Sequence, residues 1–242
     1  MNRIAEVFGT SPVLLPVVHP IGHDEALTAI RVAYDLGVKG VFLINQGNDV
    51  LQLVREVRDR YPTLWIGVNL LHRPPARALV FALDVCGTID GIWADNAGIN
   101  ERQADGAPQH LAEAFVAARA DAHWNGLYFG GLAFKYQREV ASTDLGRAAA
   151  LAAPYMDVIC TSGPGTGYAA DVDKVRALRA GLGVDHAMAL ASGVTPDNVR
   201  SYMPYIQAFL VGTGIEHKLG VFDPVKIESL LRAMQDGGEE TP

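Results

Sequence analysis

At 242 residues, 49% of them hydrophobic and 19% charged, the chain is long enough to bury a full core and too apolar to stay disordered. A net charge of −7, with 20 Lys and Arg scattered along the chain, excludes a basic nucleic-acid groove as its main surface and leaves only a local anion site open. Cys86 and Cys160 fit neither a CxxC nor a Cys/His metal spacing. No apolar run reaches the roughly 18 residues of a membrane span, and the stretch MNRIAEVFGT lacks the apolar segment of a secretion signal. A cytoplasmic protein without membrane insertion is therefore expected.

From residue 13 onward one unit repeats: a short apolar run, a small or polar tip, then an amphipathic stretch of helical period. The apolar runs cover 13–18, 40–45, 64–71, 90–95, 126–134, 157–162, 186–192 and 208–213. Helical patterns follow over 24–36, 48–60, 74–86, 108–122, 143–153, 171–181, 195–203 and 223–234. Asp24, Asn48, Asp171, Thr195 and Asp223 stand where N-caps belong, and Pro196 and Pro224 where a helix begins. Eight βα units at near-regular spacing, without a linker, predict a single (β/α)8 TIM-barrel domain over 1–242 in preference to a doubly wound sheet. Residues 1–10 would cap the bottom of the barrel, and 235–242 would form a flexible tail.

In such a barrel the loops at the carboxyl ends of the strands build the site. These tips carry His19, His23 and Asp24; Asn45 and Gln46; Asn69 and His72; Asp95 and Asn96; Lys135 and Tyr136; Thr161, Ser162 and the run 163–167; Ser192 and Gly193; and Gly212, Thr213 and Gly214. The seventh and eighth tips suit a phosphate. Their glycines allow close backbone approach, free N–H groups donate, and the Ser192 and Thr213 hydroxyls complete the cradle. In the sixth tip, TSGPGTG, the N–H groups of Gly163 and Gly165 beside Thr161 and Ser162 form a candidate nest for a second anionic group or oxyanion, on a loop that could cover the site. It has neither the Lys-Ser/Thr of a Walker loop nor the spacing of a dinucleotide fingerprint.

Lys135 is an electrophile, a phosphate partner or an acid/base, and Asp95 the best-placed carboxylate for proton transfer, with Asn69 and Asn96 to position hydroxyls. His19, at the first tip, is a further catalytic candidate. His19, His72 and Asp95 could be gathered around a divalent metal, but no ligand spacing supports this, so no metal is expected. No cofactor is called for either, although a phosphate cradle is compatible with a flavin. Cys86 and Cys160 read as packing thiols.

The segments GVNLL (67–71), LAFKY (132–136), TSGPGTG (161–167) followed by DVDKVRALR, ASGVTPDNV (191–199) and FLVGTGI (209–215) followed by DPVKIESLLRAM occur in an order that resembles the BtpA/SgcQ family of TIM barrels. The chain departs from that family in having Tyr136 where a histidine is usual, Ser162 within the sixth turn, and a different eighth loop. The resemblance implies a barrel whose members often carry names borrowed from phosphoribosylanthranilate isomerase, with one branch linked to photosystem I accumulation. The residues favour an acid/base isomerase or lyase on a small phosphorylated ligand such as a sugar phosphate or phosphoribosyl compound, with homo-oligomerisation open. The alternative is a non-catalytic assembly or regulatory factor that retains a ligand site.

Overall fold

The computed structural model describes residues 2–45 and 50–236. Eight parallel strands close into one barrel in chain order. They are β1 (Val13–Val18), β2 (Gly40–Ile44), β3 (Trp65–Asn69), β4 (Gly91–Ala94), β5 (Leu127–Gly131), β6 (Val158–Ser162), β7 (Ala187–Ala191) and β8 (Ala208–Val211). Closure comes from β8 pairing with β1, with Val13 opposite Ala208 and Pro16 opposite Val211. Every strand lies inside an apolar run of the sequence, and the fold is the expected (β/α)8 barrel.

Alternation along the strands separates two cores. Leu15, Phe42, Trp65, Trp93, Phe129, Cys160, Ala189 and Leu210 face the barrel interior, while Leu14, Leu43, Ile66, Ile92, Tyr128, Ile159, Leu190 and Phe209 face the surrounding helices. The interior is unevenly filled. Large aromatic rings come from β2–β5, with Phe42 edge-on to Trp65, Trp93 and Phe129 at 5.0–5.6 Å between centroids. Gly67 and Gly91 make room for them, since a Cβ at either would stand 2.3 Å from the Phe42 or Trp65 ring. On the opposite wall alanines predominate, at Ala187, Ala189, Ala191 and Ala208.

The outer helices are α2 (His23–Asp35), α3 (Val50–Arg60), α4 (Pro75–Cys86), α5 (His110–Asp121), α6 (Leu145–Ala152), α7 (Val172–Ala180), α8 (Val199–Tyr202) and α9 (Pro224–Asp236). The leading segment forms α1 (Arg3–Phe8), capped by the Asn2 side chain, which accepts from the Ala5 N–H at 2.9 Å. Ile4 and Phe8 are buried against the first residues of the strands, the Phe8 ring 5.4 Å from that of Trp65, so α1 stoppers the amino-terminal end of the barrel. A short antiparallel pair, β9 (Glu216–Lys218) and β10 (Val221–Phe222), follows β8.

Three local expectations need correction. Helix α2 starts at His23 with Gly22 as its cap, which puts Asp24 in the first turn, where its charge favours the helix dipole without capping. The expected helix over 195–203 shrinks to α8, because Thr195 to Asn198 form a turn first. There the Asn198 carboxamide accepts from the Thr195 N–H at 2.9 Å and donates to the Gly193 carbonyl at 2.8 Å. Thr195 is therefore no helix cap, and Pro196 does not open a helix. Asp171 and Asp223 do cap α7 and α9, accepting from Asp173 and Val225 N–H groups, both at 2.9 Å. Gln46, Asn48 and the tail beyond 236 lie outside the described residues.

Candidate active site

The strand tips converge at the carboxyl-terminal mouth of the barrel, where His19, Trp93, Lys135, Thr166, Ser192, Gly193, Gly212 and Thr213 surround a small cavity of about 50 Å³. Lys135 reaches this mouth because the chain leaves β5 through Ala133 and Tyr136, both at positive φ (47° and 61°). Its backbone N–H donates to the Ser162 hydroxyl at 2.8 Å, which fixes the base of the side chain. Its ammonium then spans the opening, donating to Ser192 Oγ at 2.8 Å and Thr166 Oγ1 at 3.1 Å. Residues 57 apart in sequence are thereby joined across the mouth.

Asp95, one residue past β4, lies within the electrostatic reach of Lys135. Burial raises its carboxyl above the usual range, a shift opposed by the hydrogen bond from Asn69 and by the Lys135 charge. Asn69 ends β3 almost fully buried and donates from Nδ2 to Asp95 Oδ1 at 2.9 Å. A carboxyl held nearer neutrality and fixed by an amide is suited to moving a proton in either direction. Asn96 does not join this group: its side chain is taken up by Gln137 and the Gly98 N–H.

The seventh and eighth tips lie side by side. Ser192 and Gly193 both adopt positive φ, 75° and 68°, which turns the backbone sharply after β7. Among the described residues, the N–H groups of Gly193, Thr213 and Gly214 have no hydrogen-bond acceptor and are free to donate. Gly193 has a second role, since a Cβ there would stand 2.2 Å from the Tyr168 carbonyl of the sixth loop. Gly212 leaves room for the imidazole of His19, whose Cε1 would be 2.7 Å from an added Cβ.

His19 is held by Glu216, a residue that the tip inventory of the sequence passes over. His19 Nδ1 and Glu216 Oε1 are 2.8 Å apart, the carboxylate is almost wholly buried, and Oε1 also accepts from the Gly220 N–H at 3.0 Å. An ionised carboxylate can only accept, so Nδ1 carries the proton and Nε2 is left as the free ring nitrogen. The only sequence signal for Glu216 is a lone acid after an apolar strand.

The sixth loop is tied to the fifth tip and to itself. Thr161 donates to the Ala133 carbonyl at 3.3 Å, and Ser162 donates to the Gly163 carbonyl at 2.9 Å. A Cβ on Gly163 would collide with the Tyr168 carbonyl, and one on Gly165 would press on the Tyr168 ring. These four residues shape the loop, and Thr166 is its contact with the Lys135 ammonium. Tyr136 adds a second tie, its hydroxyl accepting from the Thr166 N–H at 3.2 Å. His23 pairs with Glu56 at 2.6 Å on the surface, and His72 is exposed. His19, His72 and Asp95 thus have separate surroundings, and no metal-binding group of three His, Cys, Asp or Glu occurs among the described residues. Cys160 is buried in the interior and Cys86 half-buried, consistent with packing thiols. No helix among the described residues is long and apolar enough to cross a membrane.

Two of the larger hollows lie at opposite ends of the barrel. One of about 680 Å³ lies at the amino-terminal end, where Lys39 donates to the Phe8 carbonyl at 2.7 Å and Arg58 pairs with Asp90. The other, about 570 Å³, adjoins the mouth and shares Lys135 with it.

No known protein-family description matches the chain, and no curated protein matches it. Its architecture is similar to solved barrels. Phosphoribosyl anthranilate isomerase from Thermus thermophilus superposes with a TM-score of 0.62 at 15% identity, over 92% of this chain and 98% of that one. A structure described as native KDPGal gives 0.66 at 17% identity, over 93% and 96%. A 4-hydroxy-2-oxoglutarate/2-dehydro-3-deoxyphosphogluconate aldolase gives 0.60 at 19% identity, over 97% and 99%. At these identities the likeness establishes the fold alone.

Proposed function

We propose that the chain is a cytoplasmic enzyme of the isomerase or lyase type acting on a small phosphorylated metabolite. The observation that carries this reading is Lys135, whose ammonium donates to Ser192 Oγ at 2.8 Å and acts by its charge on Asp95, so that it links the proposed proton carrier to the proposed phosphate cradle. The phosphate lies on the free N–H groups and hydroxyls of Ser192, Gly193, Gly212 and Thr213. Asp95 moves a proton on the substrate carbon skeleton, and the Lys135 ammonium stabilises the oxyanion that forms when the proton leaves. Asn69 keeps the carboxyl in place and orients a substrate hydroxyl. His19, held by Glu216, stands at the edge of the cradle as a second proton carrier. The sixth loop, through Thr161, Ser162, Gly163 and Gly165, keeps Thr166 over the mouth.

Support from outside the chain is of two kinds. The order of motifs resembles that of the BtpA/SgcQ barrels, and the similar solved folds include an isomerase and an aldolase named for phosphorylated compounds. The test is a thermal-shift screen of phosphorylated metabolites, each beside its dephosphorylated twin, on the native chain and on Thr213→Glu. Thr213 is exposed and its carboxylate replacement opposes an anion without a packing clash. A shift given by the phosphorylated twin alone and lost in Thr213→Glu is expected. With a ligand found, Asp95→Asn should bind it and fail to turn it over. Equal shifts for both twins would sink the phosphate reading, and full turnover by Asp95→Asn would sink the catalytic assignment.

A further inference from the structure

The hollow of about 570 Å³ beside the mouth is bounded by the fifth and sixth tips and the start of α7. Val140, Leu145 and Pro164 give it apolar walls, and Lys135 and Lys174 face it from the polar side. Lys174 is unusual for a residue in the first turn of a surface helix. Its half-buried ammonium turns inward and donates to two backbone carbonyls, those of Ala133 and Ser162, the second at 2.7 Å. No carboxylate is paired with it among the described residues. The nearby Asp171, exposed on the same hollow and capping α7, acts on Lys174 by its charge without contacting it. Glu139 sits exposed on the rim, and Arg138 is neutralised by the buried Glu101 at 2.6 Å.

An ammonium has three protons, and two neutral carbonyls leave one donor unmatched and a charge with no carboxylate in contact. Burial without a paired carboxylate is costly, and it lowers the Lys174 pKa to about 8 although the exposed Asp171 charge opposes the shift. An anion entering the hollow would satisfy both the third donor and the charge. Lys135 lines both this hollow and the small cavity at the seventh and eighth tips.

We propose that the hollow is a carboxylate subsite and that the substrate carries a carboxylate as well as a phosphate, the carboxylate against Lys174 and the phosphate on the seventh and eighth tips. This rests on the phosphate reading above and extends it to a phosphorylated small organic acid. The hollow's apolar walls hold the carbon chain next to the acid group. Lys135 lies between the two anionic ends, where a reacting centre would be.

The experiment compares 6-phosphogluconate with sorbitol 6-phosphate by titration calorimetry, two probes of equal length that differ in the carboxylate, with inorganic phosphate as the reference. The native chain is expected to bind the acid at least tenfold more tightly than the alcohol. Lys174→Met should abolish that preference while leaving the affinity for sorbitol 6-phosphate unchanged, and Lys174→Arg should keep it. Should Lys174→Met fail to fold, the lysine 13Cε resonances of the native chain report instead: the Lys174 titration midpoint should rise with the acid and stay put with the alcohol. Equal affinities, a preference that survives Lys174→Met, or a Lys174 midpoint indifferent to the acid would each overturn the subsite. Inorganic phosphate binding without such a preference removes the subsite alone, whereas failure of every phosphorylated probe removes the phosphate reading beneath it.

Discussion

Lys174 makes the alkaline stability of this fold a direct readout of its buried charge. Its pKa falls from 10.5 to about 8 because burial disfavours the ammonium. Between those two values the unfolded chain holds a proton that the folded chain has released, so stability must rise as pH increases through that window. Below pH 8 both states are charged at this site and the folded state bears the full cost of burial. At about 1.36 kcal/mol per tenfold change in acidity, the shift corresponds to an upper bound of roughly 3 kcal/mol. Because the side chain is only half-buried, solvent screening brings the expected gain to about 1–2 kcal/mol, or roughly 2–8 °C in Tm for a chain of this size. Differential scanning calorimetry at pH 7.5 and pH 10.5, on the native chain and on Lys174→Met, isolates this gain. Other groups titrate alike in the two proteins, so the native chain should lose less stability on going alkaline than the variant by that amount. Identical pH slopes would refute the claim that burial outweighs the Asp171 charge at this ammonium, whatever the variant's stability at neutral pH.

Other consequences follow from the same geometry. Asp95→Asn should melt higher than the native chain at pH 7, because burial raises the carboxyl pKa and the ionised form therefore costs stability above 3.8. That advantage should vanish as pH falls below 3.8, and an advantage that persisted there in calorimetry would point to packing instead of charge. Phe8→Ala empties the bottom of the barrel at a cost of about 3–5 kcal/mol, readable as a lower urea midpoint followed by tryptophan fluorescence. A loss under about 1 kcal/mol would mean that α1 does not stopper the core. Glu216→Leu should release His19 from its Nδ1-protonated form toward the commoner Nε2-protonated one, seen in long-range 1H–15N spectra of the imidazole, and an unchanged spectrum would remove Glu216 as the group that sets the tautomer.

The barrel itself was legible because its causes are local. Apolar runs of strand length and helical periodicity are written within a few residues of each other, and eight such units leave few ways to bury all their faces. The start of α8 misleads for an equally local reason, since Thr195 and Pro196 look like a helix start until the Asn198 side chain forms a turn with them. Membership of the mouth was also readable in part: Asn69, Asp95, Lys135, Ser192, Gly212 and Thr213 stand at strand ends, and strand ends meet when a barrel closes. Sequence alone does not say which groups are already spent. Thr161 and Ser162 look as available as Ser192 along the chain, yet their hydroxyls tie the sixth tip to the fifth and to itself. Lys174 reads as a surface lysine within DVDKVRALR, and Glu216 as a stray acid after β8; each gains its role from carbonyls or an imidazole on other strands. The sequence determined the elements and which of their ends would face the site, because those depend on side-chain period and local backbone preference. Tertiary structure decided the partners, because closing β8 onto β1 brings together residues as far apart as His19 and Glu216, 197 positions distant, and hydrogen bonding and desolvation depend on distance in space, which no local pattern encodes.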